Sequence, residues 1–152
     1  MIPEGVGARF VRVWASFFGI GYLPVMPGTF GSLAGVLLAW YFYGMLGTVL
    51  FFLTLSAFLI CKSSESSFAC KDPQRFVLDE VCGMMLSVVW IPKTLPYFAA
   101  AFILFRLFDT LKPWPIRAIQ NHKHPSSIVW DDLAAGLFTN LLLQIFILVF
   151  EF

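Results

Sequence analysis

The sequence predicts an all-α membrane protein, built as a compact bundle of about five short transmembrane helices with an amphipathic helix at its N-terminus. Apolar residues make up 59% of the 152 residues and aromatic residues 18%, whereas charged residues make up only 12%. Soluble domains average roughly 45–50% apolar and about 25% charged residues. The length suits one domain over residues 1–152. A net charge of +1 leaves no basic surplus, so we expect no nucleic-acid partner.

The N-terminal segment is predicted to form a helix that lies at the membrane surface. Between residues 1 and 19, apolar side chains recur on one side at helical spacing, with two arginines beside them: Phe10, Val13, Trp14, Phe17 and Phe18, with Arg9 and Arg12. This pattern is typical of an amphipathic helix whose aromatic side chains lie in the headgroup region. We expect Gly19 and Gly21 to end it.

Residues 24–32 are rich in turn-forming residues and lead into the first long apolar run. Thr29 is the expected N-cap of the following helix, and Ser32 is then its third residue. The amide groups of a helix start, beside glycines that admit a ligand to the backbone, form a natural anion site. A plain cap with a close helix contact through Gly31 and Gly35 explains the same residues, so both interpretations stay open.

The apolar runs predict the spans. Residues 33–61 are too many for one span, so we expect two short helices with a turn at 44–48. The polar residues 62–72 form a solvated loop or a helix extension. Residues 84–108 predict a hairpin of two arms of about a dozen residues, each roughly 18 Å long against a hydrocarbon core of about 30 Å. The inner ends of these arms must therefore be drawn into the membrane. Residues 137–150 form the last helix.

Two acid pairs stand directly before apolar runs, Asp79-Glu80 and Asp131-Asp132. Around each pair the order is similar: a valine, an apolar residue, the acids, apolar residues and then a glycine. The spacing to the glycine differs by one residue when the pairs are aligned, so this is a local similarity and not an internal repeat. Carboxylates at the membrane interface need partners or a water-filled cavity.

A third charged segment covers residues 105–117. Because prolines 113 and 115 cannot continue a helix, the preceding helix is expected to end near Asp109. Arg106, Lys112 and Arg117 then lie beside that end, where their charges are held in place.

Basic residues predict the orientation. With five spans and an inside N-terminus, nine of the ten lysines and arginines fall on the cytoplasmic side and only Lys93 falls outside. The same topology places the acid pairs, Asp72 and Asp109 on the inner side. All candidate chemical groups therefore converge on one leaflet.

These residue types favour metal-assisted phosphoryl chemistry. Clustered carboxylates without cysteine or histidine partners suit a hard cation such as Mg²⁺. Arginine and lysine suit phosphate oxygens. A carboxylate-bound metal polarises a phosphoryl oxygen and activates water. Because the site faces the headgroups, we expect a phospholipid phosphate as substrate. The three cysteines lack zinc-site spacing and are expected to be structural thiols: Cys61, Cys70 and Cys82.

Three alternatives explain part of the same pattern. Acids at helix starts meet the positive end of the helix dipole, and acids beside cations form interfacial ion pairs. Intramembrane carboxylates also mark translocation paths, so a small ion-coupled transporter is the alternative function. A noncatalytic anchoring protein is the third.

Four separated motifs resemble the phosphatidylglycerophosphatase A family: residues 27–32, 72–83, 105–116 and 131–136. They occur in the family's order within residues 19–140. The resemblance implies a small enzyme of the bacterial inner membrane, and the orientation predicted from the basic residues places the active site of this multi-pass protein on the cytoplasmic side. It implies Mg²⁺-dependent removal of the terminal phosphate of phosphatidylglycerophosphate, which gives phosphatidylglycerol.

The resemblance also implies residue roles. Metal ligands or water-orienting groups would be Asp79, Glu80, Asp131 and Asp132. The phosphate would be bound by Arg106 and Lys112, with Asp109 beside them and with Thr29 and Ser32 at the other edge, while Asp72 would be a supporting residue. The chain departs from the family pattern at residues 124–128, where His-Pro-Ser-Ser-Ile replaces a glycine-rich turn.

Overall fold

A computed structural model describes residues 6–68, 75–114, 116–117 and 126–150 of the chain. Within these residues every regular element is helical, which confirms the all-α prediction for the described part. Asp72, Cys70 and residues 118–125 lie outside it, so the predictions that concern them stay predictions. The α-helices are α1 (Val6–Ala15), α2 (Pro27–Tyr41), α3 (Leu46–Phe68), α4 (Leu78–Ser87), α5 (Leu95–Leu111) and α6 (Ser127–Phe150).

The N-terminal helix α1 is shorter than predicted. It ends at Ala15, and Phe17 and Phe18 adopt φ angles of 46° and 57°, so they form a turn and are not on the helix face. The Trp14 indole donates to Ser56 Oγ at 3.0 Å, which ties α1 to α3. The role of α1 at a membrane surface stays a prediction.

Helix α2 begins two residues before the predicted N-cap. Pro27 occupies the first turn and Met26 is the N-cap residue, with a φ of 48° and no side-chain cap. Proline is favoured there because its missing N–H would have had no partner in the helix. The prediction that Thr29 caps this helix is therefore wrong, since Thr29 lies inside the first turn.

Two helices occupy residues 33–61, as predicted, but the break lies slightly earlier and the second helix is long. A 3-10 turn at Tyr43–Met45 separates them. Helix α3 then continues for 23 residues, so residues 62–68 extend the helix and do not form a loop.

The later helices also extend beyond their predicted ends. Helix α5 ends at Leu111, two residues after Asp109 and so near the predicted end, and Lys112 caps it in a left-handed conformation with a φ of 43°. Helix α6 begins at Ser127, ten residues before the predicted start at 137. The helix begins before the uninterrupted apolar run, and its buried residues include Val129, Asp131 and Asp132, which precede that run. Asp131 and Asp132 therefore lie inside α6.

Helix α4 is the centre of the bundle. It packs against α2, α3, α5 and α6. Eight of its ten residues are buried, including Asp79 in the first turn. The start of α4 therefore carries an acid pair into the middle of the fold.

Glycines allow this close packing of α4. A side chain at Gly35 of α2 would place its Cβ 2.8 Å from the Val81 carbonyl oxygen. A Cβ at Gly83 would lie 2.5 Å from the Asp132 carbonyl oxygen, and one at Gly136 would meet the Gly83 backbone. Helices α4 and α6 thus cross with their backbones in contact.

The Gly136→Ala variant should be destabilised. Its new Cβ would meet backbone, which cannot move aside as a flexible side chain can, so α4 and α6 must separate. Overpacking of this kind costs about 1–3 kcal/mol. Thermal unfolding in detergent should show a Tm several degrees lower. Gly47→Ala on α3 is the matched control because no atom lies within 4 Å of its Cβ position. Equal Tm values for the two variants would contradict the close crossing.

At the opposite end from the acids, a side chain of α6 binds the last carbonyl of α4 and a carbonyl just beyond it. The Asn140 side-chain amide of α6 donates to the Val89 carbonyl at 2.7 Å and to the Ser87 carbonyl at 3.2 Å. Such partners are needed because the last carbonyls of a helix have none within it. Beside them, the Lys93 ammonium lies 5.1 Å from the centre of the Trp40 ring.

Two helical stretches are long and apolar enough to cross a membrane, Tyr43–Ser64 and Ser127–Phe150. Helices α2, α4 and α5 contain 15, 10 and 17 residues. Length and composition thus identify two spans within the described residues, and the prediction of five stays a prediction.

Candidate functional site

Polar side chains from four helix termini meet at one end of the bundle. The starts of α2, α4 and α6 and the end of α5 all lie there, so α5 runs antiparallel to the other three helices. The residues that they contribute are Gly28, Thr29, Ser32, Asp79, Glu80, Arg106, Asp109, Lys112, Asp131 and Asp132.

Three carboxylates form the centre of this site. One oxygen each of Asp79, Glu80 and Asp132 lies within 4.8 Å of the other two. Asp79 and Asp132 are each only 4% exposed. Among the described residues, Glu80 Oε2 is buried and has no hydrogen-bond partner. Buried like charges are costly unless a cation or hydrogen-bond donors compensate them. A hard divalent cation fits this donor set, because it binds several carboxylate oxygens at once.

Helical spacing explains why Asp132 joins Asp79. Each residue stands four positions before the glycine at which α4 and α6 cross, Gly83 and Gly136 respectively. Residues four apart lie on the same helix face, one above the other. The two aspartates therefore face each other one turn from the crossing point. The signal in the sequence is the equal spacing of four residues from Asp79 to Gly83 and from Asp132 to Gly136.

Asp131 is placed differently. The Lys112 ammonium donates to Asp131 Oδ2, and the group of three carboxylates does not include Asp131. Burial opposes the charged form of Lys112, but the hydrogen bond and charge of Asp131, together with the charges of Asp132 and Asp109, outweigh it and raise the pKa of Lys112 above its ordinary value. Lys112 is therefore a cation at neutral pH.

Arg106 connects α5 to α2. Its Nη1 lies 2.6 Å from Asp109 Oδ2 and 3.4 Å from the Ser32 hydroxyl. The Ser32 hydroxyl in turn donates to the Gly28 carbonyl oxygen at 2.8 Å. Asp109 also lies 4.0 Å from the Lys112 ammonium. Two cations, Arg106 and Lys112, and two aspartates, Asp109 and Asp131, thus border the group of three carboxylates.

The start of α2 closes the site. A Cβ at Gly28 would meet Glu80 Oε1 and lie 3.4 Å from Arg106 Nη1. The Thr29 hydroxyl is buried and, within the part of the chain described, has no hydrogen-bond partner. Gly28 was predicted only as one of the glycines that admit a ligand to the helix start, and its contact with Glu80 and Arg106 was not predicted.

All the predicted site residues that the structure describes lie at this end of the bundle. The structure divides most of these residues between the group of three carboxylates and the ion pairs that border it, a division that was not predicted from the sequence. Their roles in binding and chemistry stay predictions. Cys61 and Cys82 are buried and form no disulfide within the described residues.

Comparison with known proteins agrees with the motif pattern. The sequence model of a family described as Phosphatidylglycerophosphatase A matches residues 13–147. A protein of Bacteroides thetaiotaomicron, named provisionally as a phosphatidylinositol-3-phosphatase, is 32% identical over 139 residues, which is 84% of this chain and 87% of the relative. No solved structure matches the chain.

Two further relatives are both named Phosphatidylglycerophosphatase A. The one from Escherichia coli is 33% identical over 79% of this chain and 73% of its own length. The one from Haemophilus influenzae is 33% identical over 84% of this chain and 83% of its own length. With the family match covering most of the sequence, the chain belongs to the phosphatidylglycerophosphatase A family.

Proposed function

We propose that this protein hydrolyses the terminal phosphate of phosphatidylglycerophosphate to give phosphatidylglycerol and inorganic phosphate, and that Mg²⁺ is its cofactor. The observation that carries the proposal is that three converging carboxylates, two of them buried, meet two cations in one site, Arg106 and Lys112. The names of the Escherichia coli and Haemophilus influenzae relatives support the choice of substrate.

The group of three carboxylates, Asp79, Glu80 and Asp132, would hold the metal. Bound Mg²⁺ supplies a Lewis acid for the phosphoryl oxygen and lowers the pKa of bound water. The unpartnered Glu80 oxygen supports this assignment, because a ligand oxygen is left without a protein donor. Arg106 and Lys112 would bind the phosphate oxygens, with arginine able to hold two at once.

In the reaction, a water oxygen bonds to phosphorus while the bond between phosphorus and the glycerol oxygen breaks; one proton of the water stays on the released phosphate and the other ends on the glycerol oxygen. Negative charge spreads over the phosphoryl oxygens in the transition state. Cations that are already in position stabilise this charge without having to reorganise. Arg106 and Lys112 meet that condition, since both are held by aspartates.

We propose further that α2 to α6 all cross the bacterial inner membrane, that α1 lies on its surface, and that the site faces the cytoplasm. Large apolar side chains exposed along α6 support contact with lipid: Leu137, Phe138, Leu141, Leu142, Ile145 and Phe146. Helix α4 is about 15 Å long at 1.5 Å per residue, so the acids at its start lie beneath the inner headgroups. With the three native cysteines replaced, impermeant thiol reagents should label Lys93→Cys from outside and should not label Arg9→Cys.

The deciding assay is phosphate release by the purified protein in detergent. We expect release from phosphatidylglycerophosphate with Mg²⁺ and none with a chelator. Phosphatidic acid, phosphatidylinositol 3-phosphate and a soluble phosphomonoester are the comparison substrates, the second because of the name of the Bacteroides relative. No release from folded protein would overturn the proposal, and ion flux in proteoliposomes without release would favour a transporter.

The Gly28→Ala variant should fold normally but lose activity. Its Cβ would displace the Glu80 carboxylate, the flexible end of a side chain, so the fold can adapt while the site cannot keep its geometry. A displacement of about 1 Å can cost on the order of 10²-fold in rate. The measurement is kcat/KM for phosphatidylglycerophosphate beside the Tm.

Gly44→Ala is the matched control for Gly28→Ala. No atom lies within 4 Å of its Cβ position, in the turn between α2 and α3. It should keep wild-type kcat/KM. Wild-type activity in Gly28→Ala as well would show that the start of α2 does not border the reacting groups.

A further inference from the structure

We propose that Asp131 and Asp109 are positioning residues, each of which holds one phosphate-binding cation, and that neither is a ligand of the metal. Asp131 holds Lys112 and Asp109 holds Arg106. This inference rests on the proposed function and deepens it, because it divides the five acids of the site into three that bind metal and two that act through a cation.

The contact of Asp131 with Lys112 carries the first half of the inference. Lys112 donates directly to Asp131 Oδ2, and the side chains are 22% and 5% exposed respectively. Successive residues of a helix point about 100° apart. Because Asp132 shares the face of Gly136 and points to α4, its neighbour Asp131 points to the end of α5, where Lys112 lies.

The contacts of Asp109 carry the second half. Its Oδ2 accepts from Arg106 at 2.6 Å across one turn of α5, and its Oδ1 lies 4.0 Å from the Lys112 ammonium. The Asp109 side chain is only 12% exposed, so water competes little for these contacts. Asp109 thus stands between the two cations.

These pairings leave both cations able to bind phosphate. A guanidinium has five N–H donors and an ammonium has three, so each can keep its aspartate and still donate to a phosphate oxygen. Without the aspartate, the long side chain would have to be ordered when substrate binds, at a cost in conformational entropy. The expected consequence of losing the aspartate is weaker substrate binding with unchanged metal binding.

The test compares Asp131→Asn and Asp109→Asn with Asp132→Asn. The probe for the metal site is Mn²⁺ alone, followed by its electron paramagnetic resonance signal in the absence of substrate. Asp131→Asn and Asp109→Asn should bind Mn²⁺ like the wild type, whereas Asp132→Asn should not. In the assay, the first two variants should raise KM about 10- to 100-fold, the worth of a charge-assisted hydrogen bond, with kcat changed far less. Loss of Mn²⁺ binding in Asp131→Asn would overturn the inference for Asp131.

A double-mutant cycle separates action through Lys112 from an independent role. If Asp131 acts by holding Lys112, the Lys112→Gln/Asp131→Asn double variant should have a KM no higher than that of Lys112→Gln. If Asp131 binds metal or water directly, the two effects should add, and that result would overturn the inference. If Asp131→Asn fails to fold, Asp131→Ser takes its place, and its Mn²⁺ binding and KM test the inference in the same way.

The Mn²⁺-binding measurement and the phosphate-release assay together also separate this inference from the proposed function. If the wild type released no phosphate from any lipid, the proposed function would fail, whereas Mn²⁺ binding would still show whether Asp131 and Asp109 are metal ligands. If the wild type were active and Asp131→Asn had a much lower kcat and no longer bound Mn²⁺, the proposed function would be supported and the positioning role of Asp131 would be refuted.

Discussion

The Asp132→Asn variant is expected to lose Mg²⁺-dependent phosphate release by about 10³-fold or more, because metal ligation contributes several kcal/mol to catalysis. Among the residues that the structure describes, Asp132 is one of three carboxylates that converge closely enough to share a cation. Asparagine has the same shape but no charge, so the packing of α4 on α6 should survive. Asp79→Asn should behave in the same way.

The stability of Asp132→Asn provides a second readout. In the presence of a chelator, the wild type holds three mutually repelling carboxylates in a buried site. Removing one charge relieves this repulsion, so the Tm of the variant in chelator should equal or exceed that of the wild type. Added Mg²⁺ should then raise the Tm of the wild type only, since a ligand stabilises the state that binds it.

Glu65→Gln, which removes a carboxylate from α3, is the matched control and should keep wild-type activity and metal response. Two results would contradict the assignment of the metal site. One is wild-type release by Asp132→Asn, and the other is an Mg²⁺-dependent rise in its Tm as large as that of the wild type.

Replacement of Arg106 should give the next largest loss. Arg106→Gln removes a guanidinium that lies between Asp109 and Ser32 at the edge of the carboxylate group. Charge-assisted hydrogen bonds contribute about 1.5–3 kcal/mol each, so we expect kcat/KM to fall by about 10²-fold. Arg106→Lys should recover only part of this loss, because an ammonium keeps the charge but not the planar fork that holds two oxygens.

Arg9→Gln is the control for Arg106, since Arg9 is an exposed cation on α1. It tests whether general attraction of an anionic lipid accounts for the effect. The binding role of Arg106 would be refuted by equal losses in Arg9→Gln and Arg106→Gln, or by full recovery of kcat/KM in Arg106→Lys at high salt.

Helix ends were the weakest part of the sequence analysis, for a physical reason. Apolar runs indicate which residues are buried or face lipid, but a helix continues through polar residues wherever its backbone hydrogen bonds are satisfied. Helix α6 therefore starts at Ser127, ten residues before its apolar run, and α5 passes Asp109 to end at Leu111. Thr29 was mistaken for a cap because Pro27 had already begun α2.

Composition, local pattern and motif order determined much about this protein from the sequence alone. They gave the all-helical class, the family, and the acids and cations that the structure gathers at one end of the bundle. These properties depend on residue types and on neighbours in the chain, so a single sequence carries them.

Only the tertiary structure decided how the acids of the site are divided. Asp131 and Asp132 are adjacent and chemically identical, and no local rule separates them. Their partners differ because α4 and α6 cross at Gly83 and Gly136, which fixes the rotation of α6 and turns Asp132 towards Asp79. The same rotation turns Asp131 towards Lys112. Side chains one residue apart on a helix point in different directions, so their partners depend on packing between distant segments.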